Sequence, residues 1–383
     1  MRVTKIRLDF QLSNQSIPVN RPKLTESDKA AVNDALNQTW ISGEAPPVQE
    51  FENSLASIQN TQFAVAVSSG TTAIDLAVEA LDIKQGDICI VPTFTIISTV
   101  TALLRKGAAV KLVDADPITW SADANQMASL MNPEVKLVLP VHIYGLSVNM
   151  DPIMETATKF GIPVLEDAAE ALGVRYKGVP CGTIGTIGTY SFYANKIVTC
   201  GEGGAVTTNN SELAARVKYL RNLCFSSEER FVHSELGWNA RMPAISAALA
   251  NSQLKRLSNL VSEKREIGLK YHKAFTDHPV FEIAPERTHY SENVFWVFGL
   301  VIRDESGVDL KTLRENLLSK GIDTRRFFCP IHLQPLAGKF DISTEFSLRE
   351  SERLWKNGFY IPSGLGNTIE EIEKVIEVLL EYK

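Results

Sequence analysis

The sequence predicts an α/β fold: a large domain built on a mostly parallel sheet with helices on both faces, then a smaller α+β domain. Three observations carry this expectation. Over residues 63–208, short β-branched runs alternate with helical patterns, as βα units require. Past Asp277-His278-Pro279 the alternation gives way to a strand-like run over 294–302 and further helical stretches. A chain of 383 residues is also long enough to bury two cores.

In chain order, strands are expected at 63–67, 88–91, 110–113, 135–141 and 163–166, each a short run rich in β-branched and aliphatic residues. The run Thr189-Tyr190-Ser191-Phe192 is β-type too. Helices are expected at 73–81, 98–104 and 152–160. Pro243 suits a helix's first turn and opens a helical region reaching about Phe275. Its leucines Leu249, Leu254, Leu257 and Leu260 form either a dimer or interdomain seam or ordinary core. The boundary falls inside this region, giving domains 1–250 and 251–383. In the second domain a helix is expected at 310–319, followed by the stretch 324–330. Thr368 can cap a last helix, with Glu370 and Glu371 in the first turn, where acid complements the helix dipole.

Composition narrows the class. With 44% apolar and 22% charged residues the chain is an ordinary globular one. A net charge of −6 and the lack of a long Lys/Arg run argue against nucleic acid as a partner. Cys89, Cys181, Cys200, Cys224 and Cys329 are scattered and read as reduced thiols. The six histidines lie apart from them, so no metal site is expected. The first ten residues hold no apolar core of signal length, and no apolar run reaches transmembrane length. The expectation is a soluble cytoplasmic protein with no membrane partner.

The chemistry centres on Lys196, within Ser191-Phe192-Tyr193-Ala194-Asn195-Lys196 and just before Gly201-Glu202-Gly203-Gly204. It is either a surface lysine at a strand end or a partly desolvated amine. Desolvation would lower its pKa and free it to attack a carbonyl, the behaviour of a Schiff-base lysine that needs an aldehyde cofactor. Asp167 falls at the carboxyl end of the strand expected at 163–166, where open α/β sheets bind ligands. It either caps the next helix or holds a protonated ring nitrogen. Ser69, Gly70 and Thr71 stand between a strand and a helix, a turn suited to a phosphate. No Gly-Lys-Ser/Thr follows, so this is not a Walker loop. Phe94, after the strand at 88–91, is either core or a stacking face for an aromatic cofactor.

Together these segments resemble the sugar aminotransferases of the DegT/StrS type, among the fold-type I pyridoxal-phosphate enzymes. The matching segments are Ser69-Gly70-Thr71-Thr72-Ala73, Pro92-Thr93-Phe94-Thr95, Val141-His142-Ile143-Tyr144-Gly145, Glu166-Asp167-Ala168-Ala169-Glu170-Ala171 and Asn195-Lys196. Gly201-Glu202-Gly203-Gly204, Gly237-Trp238-Asn239-Ala240-Arg241-Met242 and Pro330-Ile331-His332-Leu333-Gln334-Pro335 continue the series. The likeness runs from about Thr39 nearly to the end.

The resemblance implies a fold-type I architecture, pyridoxal 5'-phosphate as cofactor and glutamate as amino donor. It implies that Lys196 carries the cofactor and moves the proton, that Asp167 pairs with the pyridinium, and that Glu170 sits near the ring hydroxyl. Ser69, Gly70, Thr71 and Ser191 would bind the phosphate. Asn239 would reach the phosphate in a neighbouring subunit, implying a homodimer with shared sites. His332 either contacts a sugar nucleotide or packs beside Pro330, and Arg325 and Trp40 are further substrate candidates. Where the family commonly has an aspartate after Gly185, this chain has Thr186, which puts one local hydrogen bond in question. Some members are dehydratases with histidine in place of the lysine; Lys196 favours amino transfer. Thr39-Trp40-Ile41-Ser42 and Asn195-Lys196-Ile197-Val198-Thr199 most resemble members that aminate GDP-4-keto-6-deoxymannose for surface polysaccharide. Other UDP- or dTDP-linked keto sugars, keto-sugar acids, dehydration and a non-catalytic sensor are the alternatives.

Overall fold

Two four-stranded sheets meet edge to edge. One has the order Phe63–Val67, Gly204–Thr208, Ile187–Ser191, Leu165–Asp167, and the other Ile342–Thr344, Ala109–Val113, Ile88–Pro92, Val135–Val138. Parallel bridges from Val138 to Val164 and from Val141 to Asp167 join them. Gly204–Thr208 is antiparallel to both neighbours, and the other pairings are parallel, so the sheet is mostly parallel as expected. This computed structural model describes residues 16–226 and 228–383. The stretch 1–10, expected to hold no signal-length core, lies outside the described residues.

The aliphatic runs form strands because they can be buried on both faces between helices. Val65, Ala66, Val67, Cys89, Ile90 and Val91 have no exposed surface, and all belong to the main core. The strand expected over 135–141 ends at Val138, shortly before Pro140, which has no amide to continue a ladder. The helical region 243–275 is two helices, Ala244–Leu254 and Leu257–Phe275. Arg256 leaves the helical conformation at the break and pairs with the buried Asp28. Leu254, Leu257 and Leu260 are buried in the main core, and Leu249 packs against it.

A third four-stranded sheet, Phe281–Glu282, Phe298–Ile302, Gly358–Ile361, Arg325–Arg326, is antiparallel throughout. The run expected as strand over 294–302 pairs only from Phe298, because Phe295 takes a left-handed φ of 53°. Phe281, Phe298, Leu300, Phe359, Ile361 and Ile372 build a second core, to which Ile17 also belongs. The helix Leu257–Phe275 gives Leu257 and Leu260 to the first core and Tyr271 and Phe275 to the second. Among the described residues, no helix is long and apolar enough to cross a membrane.

Candidate active site

Strand ends and the turns after them line a cavity of about 350 Å³. Ser69, Gly70, Thr71, Asp167, Glu170, Ser191 and Lys196, distant in sequence, share its wall. Each arrives for a local reason. Ser69 caps the helix Gly70–Ala80 by accepting the Thr72 amide at 3.1 Å. The first amides of that helix have no carbonyl within it to bond. Gly70 lies against the end of the strand Ile187–Ser191: a Cβ there would stand 2.8 Å from that of Ser191. Thr71 donates to Ser98 Oγ at 3.0 Å, bringing the start of a second helix to the same wall. Free amides, three serines and a threonine make this end an anion cup.

Lys196 sits in the turn joining Ile187–Ser191 to Gly204–Thr208. The Phe192 amide bonds to Gly203, the Cys200 amide to Phe192, and Gln253 clasps both the amide and the carbonyl of Thr199. Only 12% of the lysine side chain is exposed, and Nζ lies 3.9 Å from Glu170 Oε1. Trp296 sets its ring against the amine, with Nζ 3.7 Å from the centroid, and its indole N–H donates to Asn195 O at 2.9 Å. Gly145, with φ of 98°, lets the 294–296 segment run this close: its carbonyl takes the Val294 amide at 2.9 Å. Burial pushes the lysine pKa down, against the pull of Glu170 and Asp167.

Asp167 is buried, with Oδ2 accepting from Thr99 Oγ1 at 2.9 Å and Oδ1 from the Ala169 amide at 3.1 Å. Burial raises its pKa, while these two donors and the charge of Lys196 oppose the rise. Glu170 Oε2 accepts the Tyr144 amide at 2.8 Å, and burial pushes its carboxyl up to about 7 with Lys196 pulling the other way. The neighbouring Glu166 collects the amides of Gly182, Ile184 and Gly185 and the His142 ring at 2.9 Å, pinning the turn that leads into Ile187–Ser191. His142 Nδ1 accepts the Val148 amide at 3.2 Å, so Nε2 carries the proton given to Glu166. Thr186, the departure noted in the sequence, accepts the Val164 amide at 3.1 Å and so makes a local bond of its own.

Comparison with known proteins decides the family. Residues 22–380 match the DegT/DnrJ/EryC1/StrS aminotransferase family. The chain belongs to it. A GDP-perosamine synthase of Escherichia coli O157:H7 is 35% identical, over 96% of this chain and 98% of the relative. One from Caulobacter vibrioides is 34% identical, over 95% and 97%. Among solved structures, E. coli GDP-4-keto-6-deoxy-D-mannose-3-dehydratase with bound hydrated PLP superposes with a TM-score of 0.89 at 27% identity, covering 95% of this chain and 99% of that one. DesV of S. venezuelae, in complex with a ketimine intermediate, gives 0.85 at 29%, covering 93% and 94%.

This aminotransferase uses pyridoxal phosphate, and the cavity fits that group. The Asp167 carboxylate meets only neutral donors at hydrogen-bond range and, among the described residues, forms no ion pair; a pyridinium would supply the missing cation. The anion cup suits the phosphate, and the lysine amine faces the same space.

Several expected site residues lie elsewhere. Phe94 is 2% exposed and does not line the cavity; its ring packs on Tyr144, Phe327 and Phe328. The stacking position expected of it is therefore not where it sits, and Thr95 and Ile96 face the cavity instead. His332 is off the cavity, bonded to Thr93 Oγ1 at 2.8 Å and Glu352 at 3.2 Å. Arg325 is exposed on the edge strand opposite Tyr360, which does line the cavity. Trp40 lines a separate groove with Pro47, Ala248 and Asn251. Asn239 is exposed, in a bridge to Asn222. Sequence reasoning missed Thr95, Thr99, Trp296, Phe328 and Tyr360. The spacing of Thr95 and Thr99, one helical turn apart after a strand, was a signal; Trp296 had none.

Proposed function

We propose that this aminotransferase moves an amino group from glutamate to GDP-4-keto-6-deoxymannose, making GDP-perosamine for a surface polysaccharide such as O-antigen. The observation that carries the chemistry is the single cavity holding the Lys196 amine, the Asp167 carboxylate and the cup of Ser69, Gly70, Thr71 and Ser191. Similarity to GDP-perosamine synthases over nearly the whole chain supports the sugar.

Pyridoxal phosphate, when bound, supplies the electron sink that stabilises negative charge at the substrate carbon. This chain's residues do the rest. Lys196, its pKa lowered by burial, holds the cofactor and carries the proton at Nζ. Asp167 keeps a ring nitrogen protonated, and Glu170, with Oε1 3.9 Å from Nζ, faces the amine as a carboxylate across the cavity wall. The helix amides with Ser69 and Ser191 hold the phosphate. Trp296, Tyr193, Phe328 and Tyr360 add aromatic surface to the same cavity. In this reading Asn239 completes the phosphate site of a second subunit in a homodimer, Arg325 faces the nucleotide, and the protein works in the cytoplasm.

The test is a panel of keto-sugar nucleotides with glutamate, read by mass spectrometry. GDP-4-keto-6-deoxymannose is expected to exchange its keto oxygen for an amine. Amination confined to UDP- or dTDP-linked sugars would overturn the substrate, and a nitrogen-free product lacking a hydroxyl would overturn amino transfer.

A further inference from the structure

We propose that Thr95 and Thr99 form a directed hydroxyl chain that holds the Asp167 carboxylate in place, making Thr99 a positioning residue for the cofactor's ring nitrogen. The proposal rests on the cofactor reading above. Thr99 Oγ1 lies 2.9 Å from Asp167 Oδ2, and Thr95 Oγ1 lies 2.9 Å from Thr99 Oγ1. Both threonines are buried, at 0% and 1% exposure. An ionised carboxylate only accepts, so the one hydroxyl proton of Thr99 points to Oδ2. Thr99 must then accept from Thr95, and the chain runs one way, from the cavity wall to the carboxylate.

Thr95 lines the cavity and Thr99 does not, so Thr99 can act on the cofactor only through Asp167. The titratable groups around Asp167 are Lys196 on the 193–200 turn, Glu170 on the turn just after Asp167, and His142, which donates from Nε2 to Glu166. Burial favours the neutral carboxyl; donors to its oxygens favour the charged form. With Oδ1 bonded to the Ala169 amide, removing the Thr99 hydroxyl leaves Oδ2 without its side-chain donor.

The experiment compares Thr99→Val, Thr99→Ser and Thr95→Val in the full chain stripped of cofactor, with circular-dichroism melting as a check on folding. Pyridoxal phosphate affinity is measured by fluorescence quenching across pH, and kcat and the glutamate KM are measured after reloading. Thr99→Val is expected to weaken cofactor binding by about ten- to a hundredfold, the range for a hydrogen bond to a charged group. Its affinity should begin to fail at a higher pH than in the wild type as pH is lowered, because the carboxylate is harder to ionise. Its kcat should fall with little change in KM. Thr99→Ser should restore most of the affinity, and Thr95→Val should show a smaller loss of the same sign. Unchanged affinity and pH profile in Thr99→Val would overturn the chain while leaving the cofactor reading intact. A Thr99→Ser variant no better than Thr99→Val would also overturn it, since packing alone would then explain the effect. A wild-type protein that fails to bind pyridoxal phosphate would remove the cofactor reading and the proposal together.

Discussion

Trp296 holds Lys196 from two directions: its ring faces the amine at 3.7 Å, and its indole N–H bonds the carbonyl of Asn195, the residue before the lysine. One side chain thus sets both the backbone and the head group of the reacting residue. Trp296→Leu is expected to lower kcat by about tenfold or more, from a cation–π contact and hydrogen bond together worth about 1–3 kcal/mol. Trp296→Phe keeps a ring face and should fall between. Steady-state kinetics on both variants checks this; a Phe variant as impaired as Leu would assign the whole effect to the N–H bond.

Lys196→Ala should abolish turnover. Borohydride reduction should leave a cofactor mass on the wild-type peptide containing Lys196 and none on the variant. Full activity in the variant would end the proposed mechanism.

Glu170 gives a pH signature. Burial raises its folded pKa to about 7, above the ordinary glutamate value of 4.5. A raised carboxyl contributes stability that is present below the unfolded value and lost as pH rises through the folded one. The cofactor-free protein should therefore lose stability between about pH 4.5 and 7 through this group. Glu170→Gln should flatten that part of the curve. Melting temperatures of both proteins at pH 5 and pH 8 test it, and parallel curves would refute it.

Glu166→Ala should cost about 3–5 kcal/mol of stability, because it strands a buried histidine N–H and several backbone amides. Urea unfolding measures this. A loss below about 1 kcal/mol would mean that water or a shifted loop can replace the carboxylate.

Gly204→Ala should disturb the anion cup. A Cβ there would press on the Ser69 carbonyl and stand 2.7 Å from the Gly70 amide. The expected result is a loss of about 1–3 kcal/mol and weaker pyridoxal phosphate binding. Gly338→Ala, where a Cβ meets nothing within 4 Å, is the neutral control.

What the sequence revealed follows from how far each signal reaches along the chain. Runs such as 63–67 and 88–91 announce themselves because burial on both faces demands unbroken aliphatic residues. The motif residues Ser69, Asp167, Ser191 and Lys196 were legible because each stands at the end of such a run, and parallel strands gather those ends. Phe94 was misplaced by a matter of side-chain direction: at the strand's end Phe94 turns into the aromatic cluster, and Thr95 and Ile96 face the cavity. Trp296 was invisible because its place depends on a left-handed Phe295 and on the close pass of Gly145, contacts between distant segments. The break between the helices at Leu254 and Leu257 was hidden for the same reason, since Arg256 answers to Asp28, more than two hundred residues away.

The turn bearing Lys196 is fastened by main-chain atoms and by Gln253 and Trp296, and none of these ties uses the amine itself in a hydrogen bond. The mount and the reagent are thus separable. A single codon change at this position can exchange one reactive group for another while the scaffold stays as it is. Evolution can then explore new reactions here without first finding a new way to fold.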